Sequence, residues 1–246
     1  MDISHQLIFL DTETTGNGPE DRLIQVAYTS NDDSPFVDEL YTAPVPITIE
    51  AMSVHHITPK MTEGKPPFQG SKEFHDLEKR FQEGAIMIAH NAPFDAEMLK
   101  REGLHVSRMI DTLKIAHYLD PEGRVSSYKL QFLRYLLGIE VDAVAHDAKG
   151  DVLVLEQLFY RFLKKIMEQE NLSQDTAIEQ MLHISETPLV YKFFPFGKYK
   201  NTSITDVLQS DRGYLEWLLR TKLQEEVRDE NWIYTLEQAL GIHQTS

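Results

Sequence analysis

Short apolar runs come first along the chain, and helical periodicity follows. Leu7–Leu10 (LIFL) is a continuous apolar run of the kind buried inside a sheet. Leu23–Tyr28 (LIQVAY) alternates and reads as a second strand, and Val37–Thr42 predicts a weaker third. The connections between them are short, polar and carry Gly or Asp, which favours an antiparallel meander. The period then changes. Phe74, Leu77 and Phe81 recur at helical spacing, with Gly84 as a stop. Ala85–Ala89 (AIMIA) reads as another buried strand. A helix is expected from Ala92 to Glu102, with Asn91 as its cap, Pro93 in its first turn and Gly103 beyond its end. Leu130, Leu133 and Leu137 mark a further helix closed by Gly138. Val152, Leu155, Phe159, Phe162 and Ile166 give a long one whose stripe is core.

Strands followed by alternating helices and strands describe an α/β fold, a mixed sheet flanked by helices. The polar stretch EQENLSQDT begins at Glu168, and a short helical pattern and Pro188 follow. The expected division is therefore a domain over 1–168, a linker or short helix over 169–190, and a small helical, aromatic-rich C-terminal module over 191–246. In that module Tyr214, Leu215, Trp217 and Leu218 read as core.

Composition narrows the function classes. No cysteine is present, so disulfide scaffolds, thiol catalysis and zinc ribbons drop out. No apolar run approaches the roughly 18 residues of a membrane span. The start, MDISHQLIFLD, does not read as a signal peptide, and the expectation is a cytoplasmic protein with no membrane partner. The net charge of −15 taken alone argues against a nucleic-acid partner. The charge is uneven, however: residues 1–50 hold one basic residue, Arg22, against ten acids. Either these acids only solubilise the chain, or some of them hold cations.

Three clusters favour the second alternative. Asp11 and Glu13 close the first strand two residues apart, so they project to one face. Paired carboxylates repel unless a cation neutralises them, and hard oxygen ligands suit Mg²⁺ or Mn²⁺. His90-Asn91-Ala92-Pro93-Phe94-Asp95 follows a buried strand and opens a helix, which puts Asp95 where the helix dipole favours an anion. In His146-Asp147-Ala148-Lys149-Gly150-Asp151, five helical positions are about 140° apart, so one helix face could not present both ends. His146 therefore belongs on a loop, suited to general-base work, and Asp151 on the following helix.

Together the segments FLDTETTG, AHNAPFDAEML and HDAKGD resemble, in order and spacing, the motifs of the DEDDh family of 3′–5′ exonucleases over roughly residues 5–165. The resemblance implies a ribonuclease-H-like fold and two Mg²⁺ or Mn²⁺ ions held by Asp11, Glu13, Asp95 and Asp151. It also implies His146 as general base and hydrolysis of a nucleic acid from its 3′ end to nucleoside 5′-monophosphates; a separate resemblance of the C-terminal module favours DNA, mainly as single strands. SVHHIT, residues 53–58, resembles the VHGIT segment that lies near substrate in the family, with His56 where glycine is usual. That assigns His55 to substrate contact. Backbone and hydroxyl groups of Thr14, Thr15 and Gly16 are implied near the terminal nucleotide, although a Thr-Gly turn out of the strand explains them equally. Asn91 matches the position that braces the second motif, and His90 reads as structural.

FPFGKYKNTSITDVL followed by DRGYLEWLL, residues 194–219, resembles the C-terminal module of exodeoxyribonuclease X-like proteins. Asn201 stands where glycine is usual there, and Asn also tolerates a left-handed turn. Lys192, Lys198 and Lys200 interleave with Phe193, Phe194, Phe196 and Tyr199. They form either a grip for single strands, through Lys192, Lys198, Tyr199 and Lys200, or the core and surface of a very small domain. The alternatives are an RNA-directed 3′–5′ exonuclease of the same superfamily and a non-catalytic 3′-end-binding or proofreading accessory module.

Overall fold

The computed structural model describes residues 4–32, 34–141, 148–225 and 229–242. The chain divides into two compact units. The first comprises residues 1–116 and 127–185, and the second residues 117–126 and 186–246.

In the first unit, strands β1 (Leu7–Thr14), β2 (Leu23–Ser30) and β3 (Val37–Leu40) are followed by helices α1 (Ile49–His55), α2 (Pro59–Thr62) and α3 (Lys72–Gln82). Then come β4 (Ile86–Ala89), α4 (Ala92–Arg101), β5 (Met109–Asp111), α5 (Thr112–Tyr118), α6 (Leu130–Leu136), α7 (Ala148–Glu170) and α8 (Gln174–Glu186). The sheet order is β3-β2-β1-β4-β5. The first three strands form the expected antiparallel meander, and β4 and β5 add in parallel to β1. This is the expected α/β, mixed-sheet architecture.

The central strand is covered on both faces. Ile8 and Leu10 join a core that includes Leu77 and Phe81 of α3 and Ala92 and Leu99 of α4. Phe9 points the other way, its ring 5.4 Å edge-on from Phe159 of α7. Side chains alternate along a strand. Asp11 and Glu13 therefore share the α7 side with Phe9, and Thr12 shares the α4 side with Leu10. The alternation in β2 does not mark an exposed face: Leu23 through Tyr28 are all buried, because helices cover both sides of the sheet.

Two sequence expectations change here. Asn91 occupies the N-cap position of α4 in the left-handed region (φ 72°) and makes no side-chain cap bond. Its backbone N–H instead donates to Asp111 Oδ1 at 2.9 Å. Residues 169–190 are mostly α8, which is packed in the first unit: Ser185 Oγ accepts from Asp111 N and Ser185 O from Lys114 Nζ. The change of unit falls at 185/186, not at 168 or 190.

The second unit contains α9 (Ile204–Ser210), α10 (Arg212–Gln224) and α11 (Glu230–Leu240) around Phe194, Val207, Leu215, Trp232 and Leu236. Phe194 stacks on Trp232 at 5.3 Å. Asn201 takes the left-handed turn (φ 65°) that its position needs. Trp217, read as core, is 51% exposed, because Leu215, Leu218 and Leu219 form the covered stripe of α10.

Candidate active site

The end of β1 and the first turns of α4 and α7 carry the acidic residues. Asp11 and Glu13 lie on β1, Asp95 in the first turn of α4 and Asp151 in the first turn of α7. Burial drives the Asp11 carboxyl well above the usual carboxylate range, and the negative charges of Asp95, Glu13 and Asp151 push the same way. All four acids therefore act on one electrostatic locus. Asp95 is 4% exposed. Burial raises its pKa too, opposed by two hydrogen bonds from Thr12: backbone N at 3.1 Å and Oγ1 at 2.7 Å, both to Oδ1. Asp151 Oδ1 accepts from Gln131 Nε2 of α6. His146 and Asp147 lie outside the described residues.

Among the described residues no three acidic or imidazole groups are drawn together as a closed metal-binding cluster. The donor set nonetheless fits a hard divalent cation. It is all oxygen, and the shared cost of holding Asp11 ionised among three other acids is what a cation would remove.

The other expected residues make bonds within the protein. His55 is buried, and both ring nitrogens are occupied by backbone: Nδ1 accepts from Ile57 N at 2.9 Å and Nε2 donates to Thr14 O at 3.1 Å. Burial lowers its pKa, which suits this neutral form. His55 thus braces the turn after Glu13. His56 sits in the left-handed region (φ 61°), which explains why glycine is usual there. The Thr14 and Thr15 hydroxyls point inward, Thr14 Oγ1 to Gly16 O (2.8 Å) and Thr15 Oγ1 to Asp21 Oδ1 (2.6 Å). Gly16 is required because a Cβ there would lie 2.6 Å from Asp21 Oδ2. His90 bridges Thr112 Oγ1 and the Tyr128 carbonyl, a structural role.

In the second unit Lys198 and Tyr199 both bond Asp211 Oδ2, at 3.1 and 2.6 Å, while Lys192 and Lys200 are exposed. Sequence reasoning missed Asp111, a buried carboxylate at the end of β5 that accepts from Asn91 N and Leu113 N and raises the Asp95 pKa. An acid following the apolar pair Met109-Ile110 was its only signal.

A family model described as "Exonuclease" matches residues 8–159, a span that includes all four acids. The chain belongs to the exonuclease family. A second model, "Exodeoxyribonuclease X-like C-terminal", matches residues 194–221 of this exonuclease. It is 29% identical over 217 residues to "Exodeoxyribonuclease 10" of Escherichia coli K12, covering 86% of this chain and 90% of that one. It is 30% identical over 188 residues to "DNA polymerase III subunit epsilon" of Treponema pallidum, covering 70% and 85%. It is 32% identical to "DNA polymerase III subunit epsilon-like protein" of Rhodobacter capsulatus over 170 residues, and there spans only 23% of the relative. Exonuclease X solved in complex with 5′-overhanging duplex DNA shares the fold, with TM-score 0.55 at 24% identity over 73% of this chain and 99% of that one. The nuclease domain of a DEDDh family member bound to rAMP also shares it, with TM-score 0.55 at 16% identity over 67% and 95%. The ribonuclease-H-like fold expected from the motifs is thus shared with solved exonucleases. Among the described residues no helix is long and apolar enough to cross a membrane.

Proposed function

We propose that this exonuclease is a metal-dependent 3′–5′ exodeoxyribonuclease that releases nucleoside 5′-monophosphates from single-stranded 3′ ends of DNA. The observation that carries the reading is the convergence of Asp95, Glu13 and Asp151 on the half-buried Asp11 carboxyl. The DNA preference is supported by the relative named "Exodeoxyribonuclease 10" and by the match of residues 194–221. The proposal is of a cytoplasmic enzyme, because its bacterial relatives are named as DNA enzymes.

Two Mg²⁺ or Mn²⁺ ions, when bound by Asp11, Glu13, Asp95 and Asp151, would offset the phosphate charge and lower the pKa of the attacking water. The chain's own residues do the rest. Asp11, with one neighbouring acid on its own strand and two on helices, would hold metal together with them. Thr12 fixes the Asp95 carboxylate and Gln131 that of Asp151, so neither must reorient during turnover. His146 takes the proton of the attacking water, so that the hydroxyl oxygen reaches phosphorus as the 3′-oxygen leaves. Lys192 and Lys200, with Lys198 and Tyr199 beside them, offer phosphate contacts on the second unit.

The test is digestion of 5′-labelled single-stranded DNA and RNA with Mg²⁺, with EDTA, and by Asp11→Asn. Stepwise shortening of DNA that requires metal, and a loss of at least about a thousandfold in Asp11→Asn, is the expected result. Degradation of RNA alone would assign the enzyme to the other polymer. Degradation of neither would overturn the reading.

A further inference from the structure

The loop that follows the β1 acids is fastened to α4 at a point remote from Asp95. We infer that Arg101 and Asp21 are positioning residues for the metal site: they lock the Thr14–Arg22 loop to α4, so that Glu13 and Asp95 keep a fixed separation. The inference rests on reading the four acids as a metal site.

The loop is closed from within. Thr15 N donates to Arg22 O at 2.9 Å and Arg22 N to Thr15 Oγ1 at 3.0 Å. The Asp21 carboxylate accepts from Thr15 Oγ1 and from Gly18 N, both at 2.6 Å. Gly16 leaves room for that carboxylate. Two of its carbonyls are held from outside, Thr15 O by Thr48 N at 2.8 Å and Thr14 O by His55. Arg101 then reaches in from the last turn of α4. Its Nη1 donates to Gly18 O at 2.7 Å and to Asp21 O at 3.1 Å, while Nε pairs with Glu97 at 3.3 Å. Its side chain is only 17% exposed.

The mechanical consequence follows from where α4 is tied. Asp95 binds Thr12 at the start of the helix, and Ala92 and Leu99 pack the same helix into the core. Arg101 is six residues later, about 9 Å along the axis, and supplies a second tie to the chain leaving the same strand. Two ties fix the helix direction relative to β1. Without the second tie, that direction rests on apolar packing and the Asp95–Thr12 bonds, which hold the separation of the Glu13 and Asp95 carboxylates less tightly.

The test uses the full chain and Mn²⁺ alone as probe, with binding measured by calorimetry in the absence of DNA. Kinetics on an oligonucleotide are measured separately. Arg101→Gln and Asp21→Asn should each weaken Mn²⁺ binding about tenfold and lower kcat at saturating Mn²⁺ by a similar factor, with KM for the oligonucleotide held within about twofold. Arg101→Lys, whose ammonium can still reach one carbonyl, should recover part of both losses and serves if Arg101→Gln does not fold. Variants with wild-type Mn²⁺ affinity and kcat but a lower melting temperature would overturn the inference and leave these residues merely structural. A wild-type protein that binds no Mn²⁺ would overturn the metal-site reading, and this inference with it.

Discussion

Thr12 donates both its backbone N–H and its hydroxyl to a single oxygen of Asp95, from the strand position between the two acids of the first motif. The second-motif carboxylate is therefore oriented by the first motif itself. Thr12→Val keeps the shape and removes one of the two donors. The expected outcome is a loss of about tenfold in kcat and of about 1 kcal/mol in stability, measured by steady-state kinetics and thermal unfolding. Unchanged turnover would show that the Asp95 orientation does not depend on this hydroxyl.

Asp11 bears a cost that the proposed metal site would impose. Its charge is opposed by burial and by three acids, so without divalent metal the folded state is the worse for it. Asp11→Asn in EDTA should be more stable than the parent protein by about 1 kcal/mol, while nuclease activity disappears. Calorimetric unfolding in EDTA measures this, and an unchanged or lower melting temperature would contradict it.

In the proposed reaction His146 takes the proton from the attacking water. His146→Ala should lose most of its turnover, by about a hundredfold or more, while oligonucleotide affinity stays within about twofold. Affinity falling in step with turnover would make the histidine a binding residue.

The second unit carries a half-buried imidazole with a distinct pH signature. Burial lowers the His117 pKa to about 4, only partly opposed by Asp120, and its ring lies 5.7 Å edge-on to Tyr191. The folded state thus refuses a proton that the unfolded chain accepts near its ordinary pKa of about 6.5. The stability contribution is complete above about pH 6.5 and is lost as pH falls toward 4, at no more than about 1.4 kcal/mol per pH unit. Urea unfolding followed by the tryptophans of this unit at pH 7.5 and 5 should show the difference, and His117→Gln should flatten it.

The basic segment of the second unit predicts unequal salt effects. Lys198 is balanced by Asp211, whereas Lys192 and Lys200 are exposed. Lys192→Ala and Lys200→Ala should each reduce the salt slope of DNA binding by about one phosphate contact, and Lys198→Ala by less. Slopes unchanged from the parent protein in all three variants would remove this segment from the DNA path.

The parts of the site set by local periodicity were legible in the sequence. Two-residue spacing put Asp11 and Glu13 on one side of β1, and the strand-to-helix junction put Asp95 in a first turn. What was not legible depends on partners distant in sequence. The hydroxyls of Thr14 and Thr15 look available until Asp21 and the Gly16 carbonyl are seen to take them. Asp111 lies on a strand of three residues, too short for a period to register. The stripe of α10 could be drawn through Trp217 or through Leu219 with equal right, and only the packing of α9 and α11 decides which face is covered. The polar run from Glu168 resembles a linker because it contains a helix end and a helix start, separated by Asn171 in the left-handed region.

The route of the chain between the two units sets limits on dissection. Residues 117–126 belong to the second unit, yet they are flanked on both sides by segments of the first. Gly123 in this excursion lies so close to Phe193 that a Cβ would be 2.9 Å from its ring. The second unit is therefore assembled from two separate lengths of chain and is not a terminal appendage. A gene cut after Ser185 would remove most of it and strand ten residues inside the catalytic half. A single protease cut there would leave two fragments still holding one unit in common. The catalytic half is thus poorly suited to exchange as a cassette unless the excursion is replaced together with the tail.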